Sequence, residues 1–469
     1  SKLNVFALRA TKRLMDEDEV PDEGRYFVLN ASQLQALLGE TQVTSSDYNY
    51  VQGNVMNGTL IISGSQGTTV TANSFPASGI TIQRSSNNSV IAYNNITVST
   101  GGISVSASSG TNVSFNNVTS TAANSATISI SSGSHNTLIF GNNITNTGSS
   151  SGSGGGACGQ SSYDSGNGKG IALSLSNSTD IISNRISVAN SFVFNIHATI
   201  SNGTQILKNQ ILEDGSSSGA SIYLSGYSGG AFTLVGTNIT DNVITSQVSS
   251  THGAINLFCG VNSTTITKND IRNTGSQSAI FTEGTNPTSD LVVISENNLT
   301  ASGTAVISVS TRANITNNRI SASASTVNGI TASGRESFIL NNSINTTGAT
   351  SHGIQVSSNN ATVSNNRINT SGANSVGIVQ SGSNSAVYDN TINTSGSDGQ
   401  GIRVSGGTTA NNNVTGNKII TVGLRAYGIY VQAAANNTFA WNVINTTGVS
   451  AHGIHTNTSS KTNFTANNI

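Results

Sequence analysis

Beyond Tyr50 the side chains able to act as general acids or bases are few: Asp164, Asp180, Glu213, Asp214, Asp241, Asp270, Glu283, Asp290, Glu296, Glu336, Asp389 and Asp398. Acid–base chemistry on a sugar needs two carboxylates near each other, and Glu213 with Asp214 is the sole adjacent pair. Lys208, Asp241, Lys268 and Glu296 alternate in sign, each just before a recurring Asn. They fit either a sugar-binding strip or a surface ladder worth roughly 0.2–1 kcal/mol per pair, and the ladder is the expectation. His252, His352 and His452 each precede a Gly, but at about 20 Å apart such imidazoles share no ion. No metal and no cofactor is therefore expected. Cys158 and Cys259 lack metal spacing and are either a pair formed in an oxidising compartment or two inert side chains.

The elements that must position these residues are set by a repeat. Its kernel is an apolar residue, two others, Asn, any residue, then an apolar residue, as in Val363, Asn366 and Ile368. About seventeen copies follow from Val51, centred on Asn54, Asn73, Asn94, Asn116, Asn142, Asn184, Asn209, Asn242, Asn269, Asn297, Asn318, Asn342, Asn366, Asn390, Asn417, Asn442 and Asn467. Spacing is near 24 residues in the later copies, where a Gly-Ile pair such as Gly377-Ile378 falls eleven residues after the Asn. Each repeat thus holds three short alternating apolar pieces between Asn, Ser, Thr and Gly turns, the signature of strands. A strand that short buries its face only by stacking on its copy in the next repeat. Seventeen rungs at about 4.8 Å make a rod of roughly 80 Å with Ile and Val inside. The kernel Asn, Asn94 through Asn442 in particular, is expected to form a ladder at one bend.

Composition agrees with a rod. Charged residues are 8% and aromatics 5% of 469 residues, too little bulky apolar matter for a wide globular core, while the periodic Ile and Val argue against disorder. A formal net charge of -1 removes any global attraction to nucleic acid or anionic lipid. No stretch approaches the ~18 apolar residues of a membrane span.

The kernel pattern resembles the right-handed parallel β-helix proteins, the pectin-lyase-like group, over about nine-tenths of the chain. That group includes polysaccharide lyases and hydrolases, phage tailspikes and adhesins. The resemblance implies an all-β, right-handed parallel β-helix solenoid of about 17 rungs over residues 51–469, and it leaves activity open. Its enzymes carry carboxylates and basic residues on one outer face. The polygalacturonase-like Asn-Thr-Asp and Asp-Asp combination and the Asp-Pro-His-Glu motif of uronate epimerases are both missing from this sequence. Loops that leave a rigid rod tend to carry binding residues. Two oversized rungs, with insertions at Gly148 to Gly170 and Gly226 to Asn238, make Tyr163, Asp164, Lys169, Tyr223 and Tyr227 the candidate ligand-binding residues.

Residues 1–50 are a different kind of sequence, with eight of the twenty acidic residues before Tyr50. A helix through Leu14, an acidic turn, a strand at Tyr26-Phe-Val-Leu29 and a short helix Gln33 to Leu38 make a short α+β segment. The string from Leu14 through Asp16-Glu-Asp-Glu-Val-Pro-Asp-Glu-Gly-Arg-Tyr-Phe-Val-Leu29, with Ser45-Ser-Asp-Tyr48, resembles part of the major capsid proteins of tailed bacteriophages. The pattern stops after about Val51. It implies a virion or prophage origin and no catalytic residues.

Three functions follow. The first is a non-enzymatic structural or surface-display protein, a phage-related fibre, decoration or spike whose rod projects from an assembly and binds host-surface glycans. The second is a secreted bacterial adhesin or extracellular filament subunit; the third is a tailspike-like polysaccharide depolymerase using Glu213 and Asp214. The expected partners are copies of itself, other virion or surface proteins, and carbohydrate, and the expected location is the virion or the cell surface.

Overall fold

The computed structural model describes residues 50–148, 168–189, 193–213, 219–226, 234–249, 252–283, 291–406 and 410–469. The helices and strand expected before Tyr50 lie outside these residues. Everything described is short strand and turn, coiled into a parallel β-solenoid of three long sheets with 17, 16 and 15 strands.

Strands that end at the kernel Asn form the 17-stranded kernel sheet, strands that follow it form the 15-stranded post-kernel sheet, and strands at Gly-Ile form the 16-stranded third sheet. Fifteen successive turns carry all three strands. The first and last turns have only isolated bridges at Val55 and Asn468 in the post-kernel layer, so the complete turns are slightly fewer than about 17. Register is kept from turn to turn, with Val363 over Ile339 and under Val387, Ile368 between Ile344 and Ile392, and Ile378 between Ile354 and Ile402. All nine are fully buried. Even where 42 residues separate successive kernels, Ile139 still pairs with Ile181.

One bend shows why the kernel needs Asn. The residue before it turns the chain through the left-handed region, at Asn365 with φ 56° and at Lys208, Asp241, Lys268, Glu296 and Trp441 with φ between 55° and 60°. A non-glycine residue there is uncommon and costs of order 1 kcal/mol. The buried amide offsets the cost by satisfying the bend's backbone. Asn366 Nδ2 lies 2.8 Å from Ile339 O, 3.0 Å from Ser364 O and 2.9 Å from Asn390 Oδ1, while its own backbone N–H donates to that same Oδ1 at 3.0 Å. The backbone link repeats without interruption from Asn54 to Asn467.

The Gly of Gly-Ile has a different cause. A Cβ on Gly377 would lie 2.6 Å from Gly401 O and would strike Ile392 Cγ2. Two consecutive inward residues are possible there only if the first has no side chain.

Asn366→Ala leaves the buried Asn342 N–H without its acceptor and removes one donor from the Ile339 and Ser364 carbonyls, the latter still accepting from the Asn341 N–H at 3.1 Å. We expect a loss of roughly 2 kcal/mol in urea unfolding, since an orphaned buried group costs about 1–3 kcal/mol. A loss under about 1 kcal/mol would mean that water replaces the amide at the bend.

Candidate functional site

The outer face of the Gly-Ile sheet is where side chains capable of recognition gather. One outward row runs through Ala172, His197, Tyr223, Asn256 and Phe281. It continues through Ser308, Thr331, Gln355, Val379, Arg403, Tyr430 and His455. The two halves differ in exposure.

In the first half the strands are buried on both faces. Residues 194–199 and Ala220–Leu224 contain no exposed position, and neither does Ile255–Phe258. Tyr223 is fully buried and His197 nearly so. Their rings form a second core, with Tyr223 4.8 Å from Phe194, 5.2 Å from His197, 5.6 Å from His252 and 5.8 Å from Phe258 between centroids. Burial, and then the nearby Lys169 charge, hold His197 well below the usual imidazole range, so it is neutral. Its Nε2 lies 3.3 Å from Thr199 Oγ1.

The candidate binding residues divide accordingly. Lys169 and Tyr223 share this face, Lys169 in register with Phe194, but both are enclosed. Tyr163, Asp164 and Tyr227 lie outside the described residues, as do Asp214, Asp290 and Cys158. Cys259 is disulfide-bonded, and it sits in the aromatic core beside Phe258.

Glu213 is fully buried, with its carboxylate accepting from Ser221 at 3.1 Å and Ser246 at 2.6 Å. It stands over Val188 in the inward row that closes the post-kernel strands. An inward carboxylate held by hydroxyls is a structural acceptor and does not face a polymer lying along the rod. The row before the kernel is the opposite case. Lys268 and Glu296 approach to 3.9 Å with both side chains more than half exposed, a geometry worth little to stability. His252, His352 and His452 occupy three different settings: the aromatic core, a half-buried site and an exposed position.

In the second half Val376–Gln380 is again buried throughout, and beyond it Arg403, Tyr430 and His455 are half-buried. Tyr427 and Tyr430, one turn beyond Gln400 and Arg403, cluster with His452 and His455, a turn further on, with centroids 4.8–5.8 Å apart. Phe194-Asn-Ile-His197 alternates apolar with polar as a half-exposed strand would, so neither the closed half nor the ring cluster was readable from the pattern.

Two family models match parts of this chain. Residues 253–419 and 305–469 match the family model "right handed beta helix region". The C-terminal part of the chain is a right-handed β-helix. Residues 1–61 match the family model "phage capsid protein", which reaches into the first strands, Tyr50–Gln52 and Leu60–Ser63. No curated protein matches. Among solved structures, the Dettilon tailspike protein aligns with 15% identity and a TM-score of 0.34 over 78% of this chain and 62% of its own. DFA-IIIase from Arthrobacter chlorophenolicus A6 in complex with DFA-III aligns with 13% identity, a TM-score of 0.35 and coverages of 75% and 84%. PfbA, a surface adhesin of Streptococcus pneumoniae, gives 10% identity, a TM-score of 0.27 and coverages of 78% and 83%. The chain spans less than two thirds of the tailspike's length.

His352 supplies a pH test. Burial first and the Arg403 charge second lower its pKa to about 4, so the unfolded chain takes up a proton near pH 6.5 that the folded chain refuses until about pH 4. Stability is full above pH 6.5 and falls as pH drops toward 4. His352→Asn, whose carbonyl can still accept from the Val376 N–H, should shrink the fall in melting temperature between pH 7 and pH 4. An unchanged fall would assign the loss to other groups.

Proposed function

We propose that this chain is a non-enzymatic structural component of a phage-related surface assembly. Residues 1–50 anchor it, and the rod of residues 51–469 projects and offers its outer faces to host-surface glycans. The observation that carries this reading is the union in one chain of a capsid-type N-terminal segment with a β-helix. The capsid match ends at residue 61, inside the first turn, so the anchor would run straight into the rod. Burial of Glu213 supports the non-enzymatic part, because the sole adjacent acidic pair lacks one member at the surface. The location that goes with this reading is the virion, with other virion proteins and carbohydrate as partners.

Immunogold electron microscopy of particles from the source organism tests it. Label on rods attached to particles is expected, and removal of residues 1–49 should leave a folded rod that no longer joins them. Label confined to free filaments or cell walls would support the adhesin reading and defeat this one. Release of new reducing or unsaturated ends from host polysaccharide, lost in Glu213→Gln, would restore the depolymerase.

A further inference from the structure

The second half of the Gly-Ile sheet carries a half-buried cation, Arg403, that has no acidic partner among the described residues. The strands that build this face, Asn328–Ala332, Ile354–Val356, Val376–Gln380, Gln400–Ser405, Tyr427–Gln432 and His452–Asn457, contain no Asp or Glu, and none occurs anywhere after Asp398. Asp398 itself is engaged by Arg425 through two contacts of 2.7 and 2.8 Å. Arg403 makes no hydrogen bond or ion pair among the described residues, and its Nε is buried without a partner. Gln400, three residues away on the same strand, has a buried Oε1 without a partner.

A half-buried guanidinium with no acceptor is expensive to keep, because desolvation is not offset by any paired charge. Replacing it with a hydrocarbon would relieve that cost. What surrounds it has the form of a recognition surface. Tyr430 is the next residue in its row and His455 the one after. Tyr427 stacks on Tyr430 at 5.5 Å and 24°, beside His455 at 4.8 Å. On the other side His352 Nδ1 accepts from the Val376 N–H at 3.1 Å, which leaves the proton of the neutral ring on Nε2 as a further donor.

We propose that Arg403, with Gln400 and His352 as neutral hydrogen-bonding groups, binds the anionic substituent of an acidic sugar whose ring rests against Tyr427, Tyr430 and His455. The guanidinium supplies a planar fork of donors for a carboxylate, and the rings supply apolar area with polar tips. This deepens the proposed glycan contact and rests on that reading only for the source of the sugar.

The test compares glucuronate with glucose at matched ionic strength by ligand-observed NMR on the full chain. Glucuronate should bind at least ten-fold more tightly than glucose, and Arg403→Gln should remove that advantage. Lys418→Gln, at an exposed position on the post-kernel sheet, should not. Arg403→Leu should melt no lower than the parent, as expected of a cation kept for a ligand. Equal binding of the two sugars, equal loss in the Lys418 variant, or a marked fall in melting temperature for Arg403→Leu would overturn the proposal. Glucuronate binding at Arg403 by a protein absent from particles would retain this site and discard the virion role. Particle-bound rods blind to glucuronate would do the reverse.

Discussion

The amide ladder at the kernel bend is the interaction on which the rest of the rod depends. Each turn must leave one sheet and enter the next at the same height as its neighbours, and at that bend the backbone passes through a left-handed residue and loses its regular sheet partners. A side-chain amide is the smallest group that both donates to two carbonyls and accepts from an N–H, so an Asn in every turn satisfies the bend and locks it to the next one. The other bends use lighter versions of the same device. Ser86 Oγ accepts from the Ser65 N–H and Ser108 Oγ from Ser86, while near the other end Ser351 and Ser375 hydroxyls cap the turns beneath them. With the backbone satisfied at its corners, the interior is left free for Ile and Val.

Axial stacking also limits what the outside can carry. Any residue used in every turn meets its own copy about 4.8 Å above and below, so a repeated charge repels itself along the whole rod. The outer row of the post-kernel sheet resolves this by interleaving hydroxyls: Arg319, Ser343, Arg367, Thr391 and Lys418 succeed one another. Asparagine needs no such spacing and stacks on itself, as Asn143 on Asn117 and Asn117 on Asn95. A chain rich in Asn, Ser and Thr and only 8% charged is what this geometry selects.

The fold was legible because its determinants recur. Val363, Asn366 and Ile368 occupy positions whose equivalents are visible seventeen times, Ile378 one that recurs at a fixed offset in the later copies, and aligning them is enough to coil the chain. Glu213 was legible too, had the alignment been pushed one step further. It lies four residues after Asn209, where other repeats have Ser246, Asn273, Thr346 and Thr370, all buried, so its inward orientation follows from register alone. Adjacency to Asp214 made it look like half of a catalytic pair. The aromatic core around Tyr223 was not legible in the same way. A row position says that a side chain leaves the sheet on the outside, but whether the outside is wet depends on what else covers it.

A periodic scaffold makes function a matter of departures from the period. Where an outer row holds Ser308, Thr331 and Gln355, its occupants are interchangeable polar groups that add solubility and little else. Where the same row holds Arg403, Tyr430 and His455 in consecutive turns, three large side chains stand side by side at a spacing the backbone dictates. Each costs more conformational entropy than the Ser or Thr it replaces. Nothing in the stacking requires them, because Thr at the equivalent positions builds the same strand. The rigidity of the ladder beneath holds such a group in place without a second shell of its own, and for that reason a solenoid can carry a recognition surface on three consecutive turns while the rest of its length remains structural.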